Sequence, residues 1–253
     1  MRAIILAAGL GKRLRPFTYS NPKCMVPLVG KPLLYRQIRC LRKQGVSNIL
    51  IVGGYLASKL KVDGVEIIIN SKFSETNMVY SLFCAASWID NDEDIIISYG
   101  DIVYEENVLL NLISLDAPIV VSVDKQWQKL WSRRMVDPLS DAETLKLVDK
   151  NRIVEIGLKP SNYEEIEGQF MGLIKIQKQN IQKLYKIWHN LNIQHDCKKM
   201  FMTEFIQHLI NKGFNVRASF TDGGWLEVDS FQDLALYEKM YLDGELKNFI
   251  GLN

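Results

Sequence analysis

An α/β fold with a mostly parallel, doubly wound sheet is predicted by three features of the sequence. Strand and helix patterns alternate through its first half, the βαβ rhythm of parallel sheets. Residues 3–7 form a continuous apolar run, as a strand covered on both faces does. Glycines follow three of the strand candidates, where open α/β sheets bind ligands. They are Gly9 and Gly11, then Gly53-Gly54, then Gly100 ahead of Asp101.

The elements follow in order. The first strand is 3–7. A helix over 32–44 puts Leu33, Leu34, Ile38 and Leu41 on one face and stops at Gly45. Strands are predicted at 48–52 and 65–70. A helix over 77–89 turns Met78, Leu82, Ala85, Ala86 and Ile89 inward. A strand at 94–98, a helix at 107–114 and a strand at 118–123 complete the first half. After Asp124 the pattern changes. Residues 126–139 are rich in Trp and Arg, and 144–148 and 153–159 read as a hairpin turning at 149–151. A strand at 168–177 and a helix at 179–191 come next. A helix at 203–211, strands at 215–220 and 226–228, and a helix at 230–241 with Ser230 as N-cap end the pattern. The expectation is one domain over 1–253. Its core is 1–124 with 201–243, and 125–200 is an inserted lid or acceptor-binding region.

The chain has 253 residues, 47% hydrophobic and 24% charged, which excludes disorder, collagen and coiled coil. Lys plus Arg is 31 and Asp plus Glu is 29, a balance unlike a non-specific nucleic-acid binder. The longest apolar run, 3–10, is too short for a bilayer, and its charges Lys12, Arg13 and Arg15 follow rather than precede it. A cytoplasmic protein without membrane or nucleic-acid partners is expected, its oligomeric state left open. Cys24, Cys40, Cys84 and Cys197 form no C-x-x-C pair and read as reduced thiols. His189, His195 and His208 form no H-E-x-x-H, so zinc is not expected.

The segment 6–16, Leu-Ala-Ala-Gly-Leu-Gly-Lys-Arg-Leu-Arg-Pro, is the strongest motif. Leu14 replaces the third glycine of a dinucleotide fingerprint, and Arg13 stands where a Walker loop needs Ser or Thr. The physics is still that of a triphosphate cradle. Small residues let the backbone approach a ligand, exposed amides make an anion nest, and arginine grips two phosphate oxygens. Pro22 stiffens the segment that carries Lys23.

Together, 6–16, Asn21-Pro22-Lys23 and Pro32-Leu33 resemble the nucleotidyltransferase superfamily, which couples an NTP to a phosphorylated acceptor. Segments 52–55, 70–72, 76–82, 98–102 and 137–146 look like its phosphocholine cytidylyltransferase-like branch, similar also to enzymes that make a CDP derivative of phosphorylated glutamine for capsule modification. The resemblance covers nearly the whole chain and implies the family's Rossmann-like fold. The hexapeptide β-helix of bifunctional relatives is absent, so acyl transfer is not expected. The resemblance implies that Leu6, Ala8, Gly9, Gly11, Lys12 and Arg13 hold base, ribose and triphosphate, with Gly53, Asn77 and Met78 at the base and Tyr99 and Gly100 beside them. It makes Lys23 catalytic by stabilising charge near the α-phosphate and Arg13 by neutralising the triphosphate. Asp101 and Asp229 would bind Mg2+.

The implied reaction suits these residues. A phosphate monoester has a second pKa near ~6, so it attacks as a dianion without a general base. Charge neutralisation and in-line positioning are what remains to be supplied. Period-two alternation puts Glu227 and Asp229 on one face; Asp229 read alone is equally a helix N-terminal acid. The acceptor is less legible. Trp127, Trp131, Tyr163 and Trp225 could cage a quaternary ammonium, or simply pack a lid. Arg133, Arg134 and Lys159 could hold an acidic acceptor. Asp124, Glu143, Glu155 and Glu167 could hold an amine. Trp127, Arg133, Lys159, Trp225 and Glu227 are taken as the acceptor contacts. The expected activity is transfer of CMP from CTP to phosphocholine, phosphorylated glutamine or an aminoalkylphosphonate, with release of pyrophosphate. The alternatives are a sugar-1-phosphate nucleotidyltransferase and a non-catalytic nucleotide sensor.

Overall fold

The computed structural model describes residues 1–89, 93–195 and 197–252. Strands β1 (Arg2–Ala7), β2 (Pro27–Leu28), β3 (Lys31–Pro32), β4 (Asn48–Gly53), β5 (Glu66–Ile69), β6 (Ile95–Tyr99), β7 (Ile102–Tyr104) and β8 (Ile119–Asp124) alternate with helices α1 (Leu33–Lys43), α2 (Met78–Cys84), α3 (Ala86–Ile89) and α4 (Glu106–Ser114). There follow α5 (Trp127–Arg134), β9 (Leu145–Val148), β10 (Arg152–Ile156), β11 (Gln169–Ile176), α6 (Lys178–His195), α7 (Met202–Asn211), β12 (Val216–Thr221), β13 (Trp225–Glu227) and α8 (Phe231–Leu242).

Nine strands form one sheet in the order β5-β4-β1-β6-β11-β8-β12-β10-β9. The first four are mutually parallel, as are β8 and β12. Strand β11 runs antiparallel to both neighbours, and the β9–β10 hairpin extends the far edge. The sheet is therefore mixed but mostly parallel. Alternation along β1 sends Ala3 and Ile5 into one layer with α1, α4 and α8, and Ile4 and Leu6 into the other with α2, α6 and α7.

Two sequence expectations change. Residues 125–200 are not an insert beside the core, because β11 lies in the middle of the sheet. Met171, Leu173 and Ile174 are buried there, which an apolar strand of eight residues requires wherever it falls in the chain. The helix expected over 77–89 is broken at Ala85, whose amide turns to the Leu82 carbonyl at 3.1 Å, an i→i−3 bond that closes α2.

A small element was not legible beforehand. The three residues of β7 pair antiparallel with β13, Ile102 opposite Glu227 and Tyr104 opposite Trp225. The Val228 amide prolongs that ladder by donating to the Asp101 carbonyl at 2.9 Å. Asp101 and Asp229 lie just beyond its end. Ser230 caps α8 as expected, its hydroxyl accepting from the Asp233 amide at 3.1 Å. Among the described residues no helix is long and apolar enough to cross a membrane. Among the described residues the four cysteines form no disulfide.

Candidate active site

After β1 the chain reverses at Gly11, whose φ of +58° favours glycine. A Cβ there would lie 3.0 Å from Thr18 Cγ2 and 3.1 Å from Lys23 Cβ. The turn is closed by Leu14 N donating to the Gly11 carbonyl at 3.0 Å, and by Thr18 Oγ1 donating to the same oxygen at 2.8 Å. Lys12 and Arg13 on this turn are exposed, and Arg13 forms an ion pair with Asp229.

Lys23 lies between the two expected metal ligands. Its Nζ donates to Asp101 Oδ2 at 2.7 Å and to Asp229 Oδ1 at 2.6 Å. Burial alone would lower its pKa, but the two carboxylates more than offset that and raise it, so the ammonium is held charged. Asp101 Oδ1 is buried and has no hydrogen-bond partner among the described residues. Gly100 sets Asp101 in place. Its amide donates to the Leu6 carbonyl at 2.9 Å, and a Cβ would lie 2.7 Å from that oxygen.

A cavity of about 140 Å³ opens beside this cluster. Leu6, Ala8, Gly9, Asn77, Met78, Tyr99 and Gly100, all expected at the nucleotide, line it together with Lys23 and Asp101. Gly11, Lys12 and Arg13 belong to the adjoining turn. Gly53 is a correction. It is not on the cavity wall, and a Cβ there would meet Leu60 and Ala57 within 3.0 Å, so glycine serves packing. Phe73, Thr76 and Ser81 also line the cavity and were not singled out in the sequence. Asn70 organises them. Its buried amide donates to Thr76 Oγ1 at 2.9 Å and to Ser81 Oγ at 3.0 Å. Asn77 caps α2, accepting from the Met78 amide at 2.9 Å.

A second cavity of about 240 Å³ shares Met78 and Tyr99 with the first. Trp131, Trp225 and Phe170 form aromatic wall, and Asp141, Glu143 and Glu227 bring three carboxylates. No lysine or arginine is among its described lining residues. Burial raises the pKa of Asp141 and of Glu143, and takes Glu227 up to about 7 against the pull of Arg134.

Trp225 and Glu227 thus face the expected acceptor space, but three other residues do not. Trp127 is buried against Trp131 and Tyr163, with ring centroids 6.1 Å away in each case. Arg133 pairs with Glu245 on the surface. Lys159 Nζ is committed to the carbonyl of Ser140 at 2.7 Å and to that of Leu139. Arg134 is equally unavailable. Its side chain is 2% exposed, grips both oxygens of Asp233 at 2.9 and 3.1 Å, and holds Glu227 at 3.0 Å. Of the acids considered for an amine, Glu143 alone lines the cavity. Asp124 accepts from Trp225 Nε1 at 2.9 Å, Glu155 pairs with Lys146, and Glu167 accepts from the Leu147 amide. No histidine lines either cavity among the described residues, and the side chain of His195 lies outside them.

The chain matches the MobA-like NTP transferase domain over residues 3–155. It is 42% identical over 248 residues to the CTP:phosphoglutamine cytidylyltransferase of Campylobacter jejuni subsp. jejuni serotype O:2, covering 92% of this chain and 98% of that protein. It is 41% identical over 95 residues to the choline-phosphate cytidylyltransferase of Streptococcus pneumoniae, covering 36% of this chain and 42% of that one. Among solved structures, the inositol-1-phosphate CTP transferase from T. maritima superposes with a TM-score of 0.73 at 25% identity, covering 99% and 98% of the two chains. The family model matches more than half of the chain, and the chain belongs to the MobA-like NTP transferases.

Proposed function

We propose that this protein is a cytidylyltransferase that moves CMP from CTP to a small phosphorylated acceptor bearing an ammonium group, with phosphorylated glutamine as the acceptor. One observation carries the reading. A cavity with three carboxylates, aromatic walls and no basic side chain among its described lining opens beside the cluster of Lys23, Asp101 and Asp229. Such a cavity suits an ammonium. The strong similarity to a phosphoglutamine enzyme along the whole chain points the same way.

An acceptor phosphate oxygen attacks the α-phosphorus, a new P–O bond forms, the bond to the bridging oxygen of the β-phosphate breaks, and pyrophosphate leaves. The acceptor is dianionic near neutral pH and attacks without a general base. Lys23 and Arg13 neutralise charge at the reacting phosphates. Mg2+ fits the site, since Asp101 offers a buried oxygen with no other described partner and Asp229 lies across Lys23 from it. When bound, the ion would withdraw charge from the triphosphate. The reading puts the protein in the cytoplasm, with a CDP-linked product that serves cell-surface polysaccharide modification.

Pyrophosphate release with CTP and Mg2+ tests it, using phosphorylated glutamine, phosphocholine, aminoethylphosphonate and glucose-1-phosphate as acceptors. Release with an amine-bearing acceptor is expected. Release with glucose-1-phosphate alone would move the protein to the sugar nucleotidyltransferases, and silence with all four acceptors would leave another acceptor or a nucleotide sensor.

A further inference from the structure

We propose that Gln37 is a positioning residue that fixes the turn at 99–102 so that Asp101 faces a divalent metal. The inference rests on the metal role given to Asp101 above. Helix α1 packs against the core through Leu33, Leu34, Ile38 and Leu41, and Gln37 is a polar residue on that buried side, 1% exposed. A buried amide is costly unless paired. This one is paired entirely to the turn. Its Nε2 donates to the Tyr99 carbonyl at 3.1 Å and to the Ile102 carbonyl at 2.7 Å, while its Oε1 accepts from Ser98 Oγ at 2.9 Å.

Those two carbonyls bracket Asp101. The chain leaves the large sheet after Tyr99 and enters the small one at Ile102, so neither ladder spans the turn between them. Gly100 anchors the turn on the β1 side through Leu6, and Val228 anchors it on the Asp229 side. Gln37 supplies the hold from beneath, from helix α1. Removing its amide frees the backbone on both sides of Asp101 without touching the carboxylate.

The test compares the parent with Gln37→Met and Ser98→Ala, each checked for folding by circular dichroism. Mn2+ binding in the presence of CTP, without acceptor, is followed by electron paramagnetic resonance. Mg2+ dependence of pyrophosphate release is measured in parallel. Gln37→Met is expected to weaken Mn2+ binding about tenfold, the scale seen when the group orienting a ligand is lost. Half-saturating Mg2+ should rise by the same factor, with kcat recovering at saturating metal. A merely destabilised enzyme would lose kcat at every metal concentration with half-saturation unchanged. Ser98→Ala should shift both readouts in the same direction and less. Unchanged Mn2+ affinity in folded Gln37→Met overturns the proposal. Should that variant fail to fold, unchanged affinity in Ser98→Ala overturns it instead. A parent that binds Mn2+ yet releases no pyrophosphate refutes the transferase reading, and the Mn2+ comparison still decides the role of Gln37.

Discussion

Lys23 joins two carboxylates through one ammonium group, and that arrangement has a direct consequence for turnover. Lys23→Ala removes the cation that neutralises charge at the reacting phosphates and leaves Asp101 and Asp229 facing each other. Turnover should fall at least about 100-fold, as when a preorganised donor to transition-state charge is lost, with the circular dichroism spectrum retained. Near-normal pyrophosphate release would remove Lys23 from the mechanism. Glu143 makes a prediction about pH. Burial raises its pKa, against the Thr203 hydroxyl and with help from Asp141 and Glu204. It therefore takes up its proton at higher pH than an ordinary carboxylate, and the cavity loses negative charge early as pH falls. By linkage the same shift contributes folding stability at low pH that is lost as pH rises through the raised value. KM for an amine-bearing acceptor should rise as pH falls and Glu143 takes up its proton. Glu143→Gln should raise KM at high pH and flatten that rise. An unchanged KM in Glu143→Gln would take the ammonium away from this carboxylate.

At the scale of elements, the site is assembled by short pieces rather than by the large sheet. The β7–β13 ladder sets Asp101 beside Asp229. The last turn of α5 then fixes Asp229 through Arg134, which grips Asp233, whose Oδ2 accepts from the Asp229 and Ser230 amides at 3.1 and 2.9 Å. Arg134→Met would strand the buried carboxylates of Asp233 and Glu227. The cost should be about 3–5 kcal/mol, the range for breaking a buried pair from one side, read as a lower urea midpoint. An unchanged midpoint would show that Arg134 is not needed to hold them. None of this was legible in the Trp/Arg segment, where Arg134 resembled a free cation as much as Arg133 did. Ile102, Val103 and Tyr104 were equally hidden, because a strand of three residues directly after a glycine turn has no periodicity of its own. By contrast, Ser230 at the start of α8 was readable, since a capping serine acts within three residues of sequence.

For the molecule as a whole, local chemistry was legible and sheet order was not. The glycine turn after β1, Lys23 behind proline and Asp101 at a strand end are each set within a few residues, and the structure gathers them around one cavity. The place of β11 between β6 and β8 depends on pairing across the chain, so the sequence suggested a lid over 125–200 where the centre of the sheet lies. Acceptor contacts were mixed for the same reason. Trp225 and Glu227 sit on a strand whose register is predictable, while Trp127 and Lys159 depend on how distant segments fold over it. Mass spectrometry and phosphorus NMR would identify the product after incubation of the protein with CTP, Mg2+ and phosphorylated glutamine. A CDP-linked glutamine derivative and pyrophosphate are expected in equal amounts. CTP left intact, with pyrophosphate formed only when a sugar-1-phosphate replaces the amine-bearing acceptor, would contradict the proposed function.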